Sequence, residues 1–234
     1  MARIPFKHLC MVIAAALSAA MFPAKAQSNH YEGNIFIGAK GGLTVSRTFF
    51  NPSVPQGMKL GGMAGVMFRY IEESHFGLIA ELNFEQRGWK ESFEQTDFRY
   101  SRTLNYLQIP VLAHIYFGSP RAHFFINAGP EIGFMAGEST SSNFDPEQIQ
   151  SIPGFPLHGR QVDELTLSAE PKIDFGISGG LGVELFTNAK GSLVIEGRFY
   201  YGLGNTVKCG RTQTFSSANA MSIMASVGYW FQLR

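Results

Sequence analysis

The chain has 234 residues, with 19 Lys+Arg against 18 Asp+Glu, a formal net charge of +1, 26 glycines, 13% aromatic and only 16% charged residues. So even a balance argues against nucleic acid as a partner, and the length suits one domain. Two cysteines, Cys10 and Cys209, are too few for a disulfide framework.

In chain order, Arg3 and Lys7 precede an apolar run over residues 9–22 that ends in Pro23-Ala24-Lys25-Ala26. This is the basic n-region, h-region and A-x-A site of a secretory signal. The run is shorter than the roughly 20 residues a membrane-crossing helix needs, and no other run comes near that length. The expectation is cleavage after Ala26 and a mature domain over 27–234. Cys10 leaves with the signal, and so do Arg3, Lys7 and Lys25, which leaves 16 basic against 18 acidic residues, a net charge of −2.

The mature part alternates. Residues 34–45 set Ile35, Ile37, Ala39, Gly41 and Leu43 against Phe36, Gly38, Lys40, Gly42 and Thr44. Residues 60–87 repeat the rule twice, around the polar turn Glu72-Glu73-Ser74-His75, and further strands are predicted near 105–117, 123–134, 173–185, 193–202 and 221–231. In the fourth, Pro110 predicts a bulge or a missing ladder bond. A period of two over about ten residues marks a strand with different environments on its two faces, and eight such strands are of roughly transmembrane length. Connections after the second, fourth and sixth strands are short; the others are long, and the longest covers 136–171. The pattern predicts an all-β, closed up-and-down antiparallel transmembrane barrel of about eight strands, with its short turns and N-terminus toward the periplasm and the last strand paired to the first.

A soluble lipocalin-like barrel would carry the same two rows turned inside out. The polar row decides, because it mixes Gly38, Gly42, Gly129, Gly176 and Gly182 with Phe36, Tyr106, Phe125, Tyr200 and Trp230. Glycine weakens a water-facing strand, whereas a narrow lumen is filled by interlocking large and small side chains. Aromatics of the apolar row, such as Phe68, Tyr70, Phe117 and Phe231, suit interfacial girdles. The chain is therefore placed in the outer membrane, after export through the inner membrane.

Several segments resemble a known family. They are Gly38-Ala39-Lys40-Gly41-Gly42-Leu43, the stretch 76–89 with Phe76-Gly77-Leu78-Ile79-Ala80-Glu81-Leu82-Asn83-Phe84-Glu85-Gln86-Arg87-Gly88-Trp89, and Tyr106-Leu107-Gln108-Ile109-Pro110 with Asn127-Ala128-Gly129-Pro130. Together they are similar to the PorT-like outer-membrane β-barrel proteins of the Bacteroidetes, over the whole mature chain. The resemblance implies a scaffold or accessory component of the kind linked to type IX protein export, with export components as partners. Gln108 stands where that motif carries Glu, and Gln232-Leu233-Arg234 follow the last strand, which leaves Phe231 as the terminal signal for the barrel-assembly machinery.

The row assigned to the lumen carries Lys40, Lys59, Arg69, Glu81, Glu85, Arg87, Glu131, Asp174, Glu184, Glu196 and Arg198. Eight strands enclose only enough room for side chains, so these charges must pair. They are expected to form a structural network, and a narrow proton or solute path centred on Glu81, Glu85 and Arg87 is the alternative. His114 and His123 lack a third metal-like ligand, and residues 176–182 imitate a nucleotide loop without the helix that should follow. Ser139, His158 and Asp163 form a nucleophilic set only on paper. Neither cofactor nor metal is expected. In the long loop, Phe144, Ile152, Phe155 and Leu157 suggest a partner-binding surface. The reading is a non-enzymatic barrel, against a narrow channel or outer-membrane enzyme with a lumen or rim site.

Overall fold

The structure, a computed structural model, describes residues 33–73, 75–93, 96–156, 162–170, 172–188, 190–210 and 213–233. The signal segment with its Ala26 cleavage site lies outside the described residues, as do Leu157 and His158. The elements are β1 (Asn34–Asn51), β2 (Gln56–Gly57), β3 (Lys59–Glu73), β4 (Phe76–Glu91), β5 (Tyr100–Ser119), β6 (Ala122–Ser142), β7 (Ile173–Asn188), β8 (Gly191–Asn205) and β9 (Ser217–Gln232). Eight long antiparallel strands pair with their sequence neighbours, and β1 pairs with β9 from Phe36↔Gln232 to Asn51↔Ser217. With no free edge left in that ring, every strand finds its backbone partners inside the sheet, as lipid requires.

The two faces sort as the alternation predicts. Leu181 is 70% exposed on the outer face, whereas Glu85 and Gln108 on the inner face are completely buried. Large and small inner residues interlock. Tyr200 lies where a side chain on Gly176 would have to go, and Phe125 does the same at Gly182. Opposite Pro110, which has no N–H to donate, the β4–β5 ladder runs from Ala80↔Val111 straight to Asn83↔Gln108 and leaves a gap.

The eight long strands run 15 to 21 residues, well past the 9–11 or so that cross a bilayer. β6 continues to Ser142, so the loop expected from Ala136 starts seven residues later. Ala136 itself is the extra residue of a bulge between Asn105↔Gly137 and Tyr106↔Met135. The extension escapes sequence reading because beyond Phe84, Leu107 and Phe134 the outward row turns from apolar to Gln86, Asn105, Thr103, Ser139 and Ser141. β2 covers one edge of this extension by pairing with Lys90 and Glu91.

Candidate functional site

The lumen is packed in three tiers. Nearest the short turns, Arg69 clamps Glu184 with Nη1 at 2.6 Å and Nη2 at 2.9 Å, between the rings of Phe36 and Trp230 at 4.2 and 4.7 Å, while Ser192 Oγ donates to the same carboxylate. In the middle, Lys40 Nζ lies 2.8 Å from Glu81 and 3.4 Å from Glu196, and Arg198 reaches Glu81 at 2.7 Å and Glu196 at 2.9 Å. Asn83 donates to Glu81, Asn127 donates to Glu196, and His114 Nδ1 meets Asn127 Oδ1 at 2.7 Å. Such planar, bidentate guanidinium contacts are the strong form of ion pair. In the third tier one guanidinium, Arg87, serves three carboxylates: Glu85 at 2.7 Å, Glu131 at 2.5 Å and Asp174 at 3.1 Å. It stacks on Tyr200 at 3.8 Å, whose hydroxyl donates to Asp174 at 2.7 Å.

These contacts bring together ten of the eleven charges that the alternation assigned to the lumen. Lys59 departs. Its side chain passes over Gly88 and its Nζ donates to Ser101 Oγ at 3.2 Å, on the outward row of β5. Alternation put the neutral Asn83, Gln108, Asn127, Ser178 and Tyr200 on the same row but gave them no part in answering the charges. Their signal is polarity on a row that a dry lumen would otherwise fill with apolar side chains. Gln108 gains a reason: its amide donates to Glu85, and a Glu there would set a fourth carboxylate beside Arg87. Among Lys40, Arg69, Glu81, His114, Asn127 and Glu196 a cavity of about 10 Å³ remains, room for about one water.

Above the third tier the mouth is built mainly of apolar clusters. Trp89, Leu104, Tyr106, Phe50, Val207 and Phe215 form one cluster, and Tyr100, Phe155 and Leu165 form another with Phe93, Phe98, Phe144, Ile149 and Ile152. The long loop, expected as a partner-binding surface, contributes three of its four named residues to the second cluster. Phe144, Ile152 and Phe155 pack with Phe93 and Phe98 of the β4–β5 connection, Phe98 and Phe155 lying 5.0 Å apart and Phe93 and Phe144 5.7 Å, because burial there gives them what solvent exposure would not. The chain returns over the mouth on fixed points: Tyr100 OH donates to Leu165 O at 2.9 Å, Arg102 donates to Leu167 O, and Ala169 pairs with Val207. Phe155→Ala is expected to make the 143–170 loop several-fold more sensitive to limited proteolysis. The folded barrel's faster migration on unheated gels should be unchanged, and unaltered cleavage would show that this cluster does not hold the loop.

A closed ring of eight long strands with an apolar outside and a charged, filled inside is the arrangement of a small outer-membrane barrel. Residues 25–208 match the sequence pattern of the family described as outer membrane protein beta-barrel domain. The chain belongs to that family. It is an integral protein of the outer membrane, its apolar face in contact with lipid. Similar solved structures include the outer membrane protein OprG from Pseudomonas aeruginosa, at 14% identity and a TM-score of 0.49 over 86% of this chain and 96% of that one. Neisserial surface protein A is similar at 11% identity and a TM-score of 0.46, over 84% and 96% of the two chains. No curated protein matches the sequence.

The remaining motifs stay apart from the tiers or take plain structural roles. His123 stacks on Tyr116 at 4.9 Å, and among the described residues no group of His, Cys, Asp and Glu is placed to hold a metal ion. Residues 176–182 lie within β7. Ser139 is on β6 and Asp163 in a short 3-10 turn, both exposed. Cys209 packs on the edge of the mouth cluster, where burial pushes its thiol pKa up and so away from reactivity.

Proposed function

We propose that this outer-membrane barrel is a non-enzymatic scaffold or accessory component of protein export, of the PorT-like kind. The observation that carries the non-enzymatic part is the filled lumen. A solute path or an active site needs open volume, and the middle of this barrel holds a cavity of about 10 Å³ between charges that are already paired. The export part rests on the resemblance of residues 38–43, 76–89 and 106–110 to PorT-like proteins. In this reading the outer loops and periplasmic turns meet export components. The barrel-assembly machinery reads β9, whose last aromatic, Phe231, faces lipid.

The test is a quantitative comparison of the proteins secreted by a deletion strain and by its parent. A selective loss of exported proteins, restored by the wild-type gene, is the expected result. An unchanged secreted proteome removes export and turns attention to conductance measurements on the purified barrel.

A further inference from the structure

The outward wall of β4, β5 and β6 beyond the apolar rows has a composition of its own. Register puts Gln86 beside Asn105, Lys90 beside Ser101, and Ser101 and Thr103 beside Ser141 and Ser139. The outward positions 86, 88 and 90, 101, 103 and 105, and 137, 139 and 141 include no carboxylate. Lys59 leans onto this wall through Ser101, and Arg99 follows at its outer end. A hollow of about 560 Å³ opens there, bordered by Lys90, Arg99, Ser101 and Ser141 over Phe93 and Phe98. Glu91 also borders it, but belongs to the inward row and is buried.

Charge is handled differently here from inside the barrel. Each lumen cation touches a carboxylate, whereas among the described residues Lys59, Lys90 and Arg99 pair with none. Lys59 and Lys90 are like charges close enough to repel one another, and an anion beside the two would relieve that repulsion.

We propose that this wall binds the phosphate-bearing headgroup of the glycolipid in the outer leaflet, with Lys59, Lys90 and Arg99 on phosphate oxygens and the Ser, Thr and Asn side chains on sugar hydroxyls. Continuity with the lipid-facing surface picks the occupant. The outward rows of the same strands, through Leu82, Phe84, Leu107 and Phe134, are exposed to acyl chains and run directly into the wall. A lipid whose chains lie along those rows has its headgroup against Lys90 and Ser101. The proposal rests on the outer-membrane placement of the barrel and is independent of the export reading.

The test uses the full chain folded into phosphatidylcholine nanodiscs, with bound lipopolysaccharide counted by native mass spectrometry. The triple variant Lys59→Gln, Lys90→Gln, Arg99→Gln is expected to retain about tenfold less lipopolysaccharide than wild type, since three charge-assisted contacts together carry at least that factor. Arg121→Gln, at the opposite end of the barrel, is expected to retain as much as wild type. Equal retention by the triple variant overturns the proposal, and so does equal retention of dephosphorylated lipopolysaccharide. Displacement of the lipid by inorganic phosphate at equal concentration overturns the assignment of a headgroup in favour of a free anion. If the triple variant does not fold, Lys90→Gln and Arg99→Gln singly carry the same comparison, each with a smaller loss.

Discussion

Replacing Arg87 by Met is expected to leave the barrel unable to reach its folded form, or to lower its urea midpoint by the equivalent of about 3–5 kcal/mol, the usual cost of stranding a buried charge. The reason is arithmetic. Arg87 is the guanidinium between Glu85, Glu131 and Asp174, all of them buried, and Met fills part of its volume without answering any of the three. Gln108, Ser178 and Tyr200 each donate to one of these carboxylates, which helps an anion but does not neutralise it. Adding Glu131→Gln to Arg87→Met removes one stranded charge and should recover part of the loss. The measurement is the urea-dependent loss of the fast-migrating folded band on unheated gels. An Arg87→Met midpoint equal to wild type would sink the view that the tiers hold the barrel together, and would reopen the lumen as a place where these charges serve some other purpose.

The second large effect is expected at the seam. Gly42 sits on the inner face of β1 opposite Ser226 of β9, and a Cβ there would collide with the Ala225 carbonyl oxygen and stand 2.7 Å from Ser226 Cα. Both are backbone atoms of the strand that closes the ring, so neither can move without parting β1 from β9. In lipid a parted seam leaves N–H and C=O groups unsatisfied at a cost of several kcal/mol each. Gly42→Val should therefore give no folded band, while Gly179→Ala should fold as wild type, because a Cβ at Gly179 meets nothing within 4 Å. If the two variants fold equally well, close approach at the seam is not what fixes glycine at position 42.

The strands and their faces were legible wherever the outward row is apolar, because lipid on one side and a crowded lumen on the other impose opposite demands at every second residue. They ceased to be legible where the wall leaves the bilayer. Residues 100–104 and 135–142 are strand in the structure, yet Ser101, Thr103, Ser139 and Ser141 give no hydrophobic signal of it. The packing of the long loop is illegible for a related reason. Phe144, Ile152 and Phe155 are equally apolar whether they await a partner or pack at home, and what decides is the presence of Phe93 and Phe98 beside them, contributed by a different connection.

By itself, then, the sequence determined the closed eight-stranded ring, its inside and outside, and ten of the charges that are answered within it, because each of these follows from period and composition along a single strand. The tertiary structure decided which charge answers which. Arg87 meets carboxylates 2, 44 and 87 residues away, and Lys59, of the same parity as its lumen neighbours, reaches outward to Ser101. Pairings across the ring depend on how strands from distant parts of the chain face one another, and only closure of the barrel sets that.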